Sequence, residues 1–304
     1  QYAKNLSQEL NITDNFRILE IGSNDGYLLK CFKKYTSKTW GVDASKLMCD
    51  LSKKNSIKTL NLIFNLKNSK KIKKKVGKFD VIISNNVLNH SDDVINFISG
   101  VKHLLNKNGS FIFELPYWYN LVLNEQFDQI YHEHVNYFTV KSSNFYLKKC
   151  GFQITKIEET NYHGGCIRVY AKVGSDTKSN SLIKNYIDKE NKLGLFKEKT
   201  YKKIMKKLNK KKISFLKKII SFKRKNYKII GVGAAAKGNT FLNFLRLDNL
   251  LVDYVTDSSK FKINKYTPVS RIPIKPDEFI KKINGKICII FLSWNLEKIL
   301  KPKI

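Results

Sequence analysis

From residue 17 onward the chain alternates short runs of β-branched and aromatic residues with longer stretches in which apolar residues recur every third or fourth position. The runs "RILEIG", "TWGVD", "KTLNL", "FDVIIS" and "GSFIFEL" each precede ten or more residues of helical periodicity. This rhythm predicts an α/β fold in which a parallel sheet is covered on both faces by helices. Ligands of such sheets sit beyond the carboxyl ends of the strands. The opening "QYAKNLSQEL" reads as an amphipathic helix without the tripartite pattern of a secretory signal, and its lack of a Met is expected for a cut from a longer chain. After "FELPYW" the rhythm breaks at "FDQIYHEHVNYF", residues 127–138, and resumes with a helix near "KSSNFYLKKCG" and strands near "FQITKIEE" and "CIRVYAKV".

Residues 176–225 contain no Pro and almost no Gly, and place Ile, Leu and Phe at helical spacings among many lysines. They predict one or two long helices with the charge on a solvated face. Then "YKIIGVGAAAKGNTFLNFL" reads as strand, glycine turn and helix, with later strands in "LVDYVTD" and "KICIIFLSW". The predicted division is a first domain over 1–175, a helical linker over 176–225 and a second, smaller Rossmann-like domain over 226–304.

Composition narrows the function classes. At 304 residues the chain has room for two cores. Its apolar runs all fall short of the roughly 18 residues that a bilayer requires. Five scattered cysteines form no CxxC pair, which points away from a zinc knuckle or a disulfide framework and toward a reducing cytoplasm. The 57 Lys plus Arg against 25 Asp plus Glu leave +32, enough to attract polyanions. The charge is mostly Lys and spread over the whole length, however, so an anionic small substrate is favoured over nucleic acid.

In "RILEIGSNDGYLL", Glu20, Gly22, Asn24 and Gly26 stand where a strand turns into a helix, and the glycines let backbone approach a ligand closely. Asp43, at the end of the next strand, can accept both hydroxyls of a ribose. The form E-x-G-x-x-x-G with this acid favours S-adenosylmethionine over a dinucleotide. Asn85 and Asn86 end the fourth strand, where amides can hold the amino acid part of that cofactor, and His90 follows within about a turn.

Of the five histidines, His132 and His134 flank Glu133, with Tyr131 and Tyr137 beside them. The group offers a base, a carboxylate and a phenol. An extended chain would point Tyr131 and Glu133 one way and the two imidazoles the other, whereas a turn would undo that assignment. HEH lacks the H-E-x-x-H metal spacing, so no metal is expected here. His163 with Gly164 and Gly165 adds a further candidate, placing all histidines but His103 in loops expected near one crevice. In the second glycine turn, Gly231, Gly233 and Ala236 fit G-x-G-x-x-A, and Asp253 or Asp257 stands at a plausible distance for a ribose; taken alone this points to NAD. Lys237 and a helix N-terminus could equally meet a phosphate.

Taken together and in order, "EIGSNDGYLL", "NNVLNHSDD", "FELPY", "FDQIYHEHVNYF", "HGGCIRVY", "GVGAAAKGNTFLN" and "YTPVSRIPI" resemble the nucleotide-sugar C-methyltransferases of branched deoxysugar biosynthesis, the tetronitrose, mycarose and noviose type. The resemblance implies a class I methyltransferase domain followed by a helical linker and a smaller Rossmann-like domain. It implies methyl transfer from S-adenosylmethionine to the carbon beside the carbonyl of a dTDP-linked keto sugar, through an enolate. His134 matches the family's base, and Tyr131, Glu133 and His90 match further active-site positions. Tyr131 and His90 are assigned to enolate and sugar hydrogen bonds, and Glu133 to orienting His134 or the sugar. The second domain, with Gly233, Lys237 and Asn239, is expected to help His163 and Gly164 hold the nucleotide sugar. The family also carries a cysteine-rich zinc domain ahead of its first helix, so zinc is expected only with such a segment. The competing classes are an NAD-dependent oxidoreductase, a noncatalytic nucleotide-sugar binding module and an RNA or DNA methyltransferase. The last would call for a D/N-P-P-Y type group after the fourth strand, where "SNNVLNH" stands, or a Pro-Cys nucleophile, which the sequence lacks.

Overall fold

The structure is a computed structural model that describes residues 1–174 and 180–303. The chain forms two compact units, Gln1–Asn120 with Val135–Leu193, and Leu121–His134 with Gly194–Ile304.

The first unit is built on a seven-stranded sheet. Its strands are β1 (Ile18–Ile21), β2 (Thr39–Asp43), β3 (Lys58–Asn61), β4 (Phe79–Asn85), β5 (Leu105–Pro116), β6 (Phe152–Thr160) and β7 (Cys166–Val173). They lie in the order β3-β2-β1-β4-β5-β7-β6, with β1 to β5 parallel and β7 antiparallel between β5 and β6. The five runs picked out by their apolar rhythm are the five parallel strands. In β1, β4 and β5 the near-continuous apolarity has a direct cause: with helices on both faces, both sets of alternate side chains are buried. Leu19, Ile21, Ile82, Phe111 and Phe113 belong to one core cluster. Ile18, Val81, Ile83 and Ile112 belong to another, with residues of α1 (Tyr2–Glu9) and α2 (Tyr27–Phe32). The remaining helices associated with this unit are α3 (Lys46–Lys54), α4 (Leu66–Val76), α5 (Val94–Leu104), α7 (Val140–Lys149) and α8 (Asn180–Lys192), while α6 (Trp118–Leu123) carries the chain across the division.

The sequence division at 176–225 does not coincide with these units. The first part of the predicted linker, α8, packs on the first unit, and residues 176–179 lie outside the described residues. Glu190 explains why α8 belongs there. It is fully buried, and its Oε1 accepts from the Tyr117 hydroxyl at 3.0 Å and the Val140 N–H at 2.6 Å, while Oε2 accepts from the Lys141 N–H at 3.3 Å. A carboxylate from one helix thus satisfies orphan donors at the start of another, α7. Glu190→Ala would strand these donors in the interior and is expected to cost about 3 kcal/mol, measured as a lower urea midpoint than the unmodified protein shows.

The second unit has a four-stranded parallel sheet, β8 (Lys228–Val232), β9 (Tyr254–Thr256), β10 (Ile274–Lys275) and β11 (Ile287–Phe291), in the order β10-β9-β8-β11. Helices α9 (Glu198–Arg224), α10 (Ala236–Leu245) and α11 (Glu297–Leu300) accompany it. In α9 the residues Phe215, Leu216, Ile219 and Phe222 join the core with Leu242 and Leu245 of α10, and lysines such as Lys202, Lys206 and Lys210 face solvent. No helix of the described residues is long and apolar enough to cross a membrane.

Candidate active site

Beyond β1 the chain turns through Gly22, whose φ of +71° favours glycine. The Gly22 N–H donates to the Val42 carbonyl at 2.7 Å, and a Cβ on Gly22 would come within 2.2 Å of Val87 Cγ2. Asp43 ends β2 and organises this turn: its Oδ2 accepts from the Asn24 N–H at 2.9 Å, its Oδ1 from the Ser45 N–H at 2.8 Å. Asn24 (φ +51°) and Gly26 (φ +80°) complete the turn into α2. Next to it lies a cavity of about 460 Å³, lined by Gly22, Asp43, Ala44, Leu62, Ile63, Val87 and His90 among others.

This cavity brings together Gly22, Asp43 and His90 of the expected residues, whereas Glu20, Asn24, Gly26, Asn85 and Asn86 stand outside its lining. Glu20 is buried and its Oε2 has no hydrogen-bond partner among the described residues. Burial, with Asp25 and Asp43 adding repulsion, pushes its carboxyl well above the usual range. Asn85 Oδ1 faces the Tyr2 hydroxyl at 3.5 Å, and Asn86 takes a left-handed φ of +55°, with its N–H on the Glu114 carbonyl at 2.7 Å. The residues present fit S-adenosylmethionine: Asp43 keeps lone pairs for a ribose diol, and Ala44, Ile63 and Val87 supply apolar walls for a purine. The walls contributed by Ala44 and Leu62–Asn65 went unrecognised in the sequence, although the apolar "LIF" directly after the third strand marks the place.

The histidine stretch belongs, up to His134, to the second unit. It is a turn, with the His134 N–H donating to the Tyr131 carbonyl at 3.0 Å, and the alternating faces of an extended chain do not occur. The turn brings Tyr131 and His134 together, rings 4.1 Å apart, and leaves His132 and Glu133 outside with side chains 88% and 55% exposed. His134 is buried at 7%. Its Nδ1 lies 2.9 Å from the Gln129 carbonyl and its Nε2 2.7 Å from the Tyr131 hydroxyl. A carbonyl only accepts, so the neutral ring carries its proton on Nδ1 and presents the Nε2 lone pair to the Tyr131 O–H. The group that orients the ring is therefore the Gln129 carbonyl, while Glu133 stands 3.9 Å from His132 Nε2.

The second glycine turn repeats the device of the first. Gly233 (φ +91°) donates to the Thr256 carbonyl at 2.8 Å, and Asp257, just after β9, accepts from Ala234 N–H through Oδ2 and Ser259 N–H through Oδ1. Asp253 is occupied otherwise, by Lys223 and the Ile229 N–H. Lys237 is 8% exposed, with Nζ 5.6 Å from the Trp294 ring centre. Asn239 lines a separate cavity of about 240 Å³ with Phe261, Lys262, Lys265 and Tyr266. Gly164 (φ +93°) lies in a tight turn, Tyr162–Gly164, of the first unit, and the side chain of His163 lies outside what is described. Among the described residues no group of three or more His, Cys, Asp or Glu could hold a metal ion.

The chain is similar to known proteins along most of its length. Residues 1–157 match the methyltransferase domain family, and residues 161–303 match the C-methyltransferase C-terminal domain. The C-methyltransferase NovU of Streptomyces niveus is 25% identical over 290 residues, which are 95% of this chain and 69% of that protein. A ubiquinone biosynthesis O-methyltransferase of Pelagibacter ubique (strain HTCC1062) is 31% identical over 96 residues, 31% of this chain and 40% of that protein. Among solved structures, an S-adenosylmethionine-dependent methyltransferase from Clostridium acetobutylicum overlaps 57% of this chain and 90% of its own, with 16% identity and a TM-score of 0.44. The chain belongs to the methyltransferase family. With the matched C-terminal domain and the relative that spans nearly its whole length, it is an S-adenosylmethionine-dependent C-methyltransferase.

Proposed function

We propose that the chain methylates the carbon beside the carbonyl of a nucleotide-linked keto-deoxysugar, a dTDP-sugar by its resemblance, through a base-generated enolate. The observation that carries this is the His134 pair: an imidazole with its Nδ1 proton committed to a backbone carbonyl and its Nε2 lone pair 2.7 Å from a phenol. Carbon is a poor nucleophile until its proton is removed, so a C-methyltransferase needs a base and a partner for the developing oxyanion.

In this scheme the Tyr131 hydroxyl moves its hydrogen bond from Nε2 to the sugar carbonyl. The lone pair of Nε2 is thereby released to take the proton of the adjacent carbon, and the electrons of that C–H bond come to rest on oxygen, facing Tyr131. Each well-placed donor to that oxyanion is worth roughly 2.7–4 kcal/mol. His90, which lines the cofactor cavity, is assigned to a sugar hydroxyl, and the exposed Glu133 to the sugar itself. S-adenosylmethionine supplies an electrophilic methyl on sulfonium, and Gly22, Asp43 and the cavity walls would hold it, with Glu20, Asn24, Gly26, Asn85 and Asn86 supporting the turn and the amino acid end. Gly233, Lys237 and Asn239, with Asp257 repeating the device of Asp43, would hold the nucleotide, and His163 and Gly164 are assigned to the substrate by the resemblance alone. The repeated device supports a nucleotide there as well as it supports NAD; the C-methyltransferase match over 161–303 favours the substrate nucleotide.

The test is incubation of the full-length gene product with methyl-labelled S-adenosylmethionine and a panel of 4-keto nucleotide sugars. Label bonded to carbon is the expected product, and label on oxygen or nitrogen refutes the scheme.

A further inference from the structure

Three contacts seat the stretch 125–134 on the second unit. Glu125 pairs with Lys207 and Lys211 of α9 at 2.7 and 2.6 Å. Phe127 lies against Phe244 and Phe241 of α10, ring centres 4.2 and 6.4 Å away. Asp128, buried at 7%, accepts the indole N–H of Trp294 on its Oδ2 at 2.8 Å. The third contact differs from the others in what it connects. Trp294 also carries the ammonium of Lys237 over its ring at 5.6 Å, and Asp128 directly precedes Gln129, whose carbonyl holds His134 Nδ1. One indole therefore touches the lysine of the glycine turn on one side and, on the other, the residue next to the carbonyl that selects the histidine tautomer.

We infer that Trp294 is a positioning residue for the base: by clamping Asp128 it fixes the Gln129 carbonyl, which keeps the His134 proton on Nδ1 and the lone pair on Nε2. This rests on the assignment of His134 as base, yet its structural half is independent of any substrate. The physical reason is that an imidazole in water divides its proton between the two nitrogens, and the hydrogen bond made by one nitrogen decides the other's role. A carbonyl on a polar turn does so only if the turn is held, and the 2.8 Å bond to a buried carboxylate is a strong, directional hold.

Three variants of the full-length protein test the inference. Trp294→Phe keeps a ring for Lys237 and removes the N–H. Asp128→Ala removes the acceptor, and Asp128→Asn retains an acceptor oxygen of the same reach. Nitrogen-15 NMR of the imidazoles, assigned with His134→Asn, is expected to show a single Nδ1–H form of His134 in the unmodified protein and a mixture of tautomers in Trp294→Phe and Asp128→Ala. Methyl-transfer kcat should fall about 10- to 100-fold in these two, with KM for S-adenosylmethionine unchanged, and Asp128→Asn should recover both readouts to within a few-fold. If Trp294→Phe keeps the single tautomer, the inference is overturned, whether or not activity falls. Should Asp128→Ala fail to fold, the pair Trp294→Phe and Asp128→Asn decides by the same spectra. If the unmodified protein methylates none of the sugars, the assignment of the base fails, while the tautomer measurement still decides the role of Trp294.

Discussion

His134→Asn is expected to lower kcat for methyl transfer by about 10²- to 10⁴-fold, the range over which a positioned general base acts. The amide of Asn is of similar polarity but has no basic lone pair, so the substitution removes proton abstraction and little else. Binding of S-adenosylmethionine should be unaltered by calorimetry, because His134 is not among the residues that line the cavity with Gly22 and Asp43. Tyr131→Phe should fall less far than His134→Asn, since it deletes a donor to the oxyanion and leaves the base in place. Equal losses in the two variants would argue that Tyr131 removes the carbon proton as a phenolate, its own proton having passed to His134 Nε2. Unchanged turnover in His134→Asn would remove the proposed base altogether.

Gly22→Ala is expected to weaken S-adenosylmethionine binding at least about 100-fold. At φ +71° an alanine is strained by about 1–3 kcal/mol, and its methyl would lie 2.2 Å from Val87 Cγ2. Val87 lines the cavity proposed for the cofactor, so relief of that overlap would push a wall into the ligand's space. The Gly22 N–H also ties the turn to Val42, next to Asp43. Titration of S-adenosylhomocysteine reads the loss directly. Gly285→Ala is the control for strain alone: its φ is +99°, and an added Cβ meets nothing within 4 Å. Gly285→Ala should bind the product as the unmodified protein does; a comparable loss there would assign the Gly22 effect to general destabilisation.

Much of the architecture was legible because its cause is local. In runs such as "FDVIIS" apolar residues fall on both alternating faces, because a strand with helices on both faces has no polar side to show. The glycine turns were legible for the same reason, since positive φ at Gly22 and Gly233 selects the residue type. What escaped depends on partners distant in sequence. Glu190 attaches α8 to the first unit through donors some 50 and 73 positions away, and nothing in a lysine-rich helical stretch singles it out. Likewise, the stretch up to His134 joins the second unit because Phe127 finds α10 and Asp128 finds Trp294, 166 positions on. The alternating faces expected for 131–134 gave way to a turn for a local reason: the Gln129 carbonyl, five positions back, captures Nδ1, and that closure overrides the period of an extended chain.

In this mechanism His134 creates a carbanion equivalent before any methyl moves, so a sugar hydrogen should exchange with heavy water even when no methyl can be transferred. The full-length protein is incubated with a 4-keto nucleotide sugar and S-adenosylhomocysteine, so that no methyl is available, and the sugar is followed by proton NMR. The predicted result is loss of the proton signal at one carbon beside the carbonyl, at a rate that His134→Asn abolishes. Methyl transfer to that carbon with no exchange in the unmodified protein, or exchange that persists undiminished in His134→Asn, would contradict it.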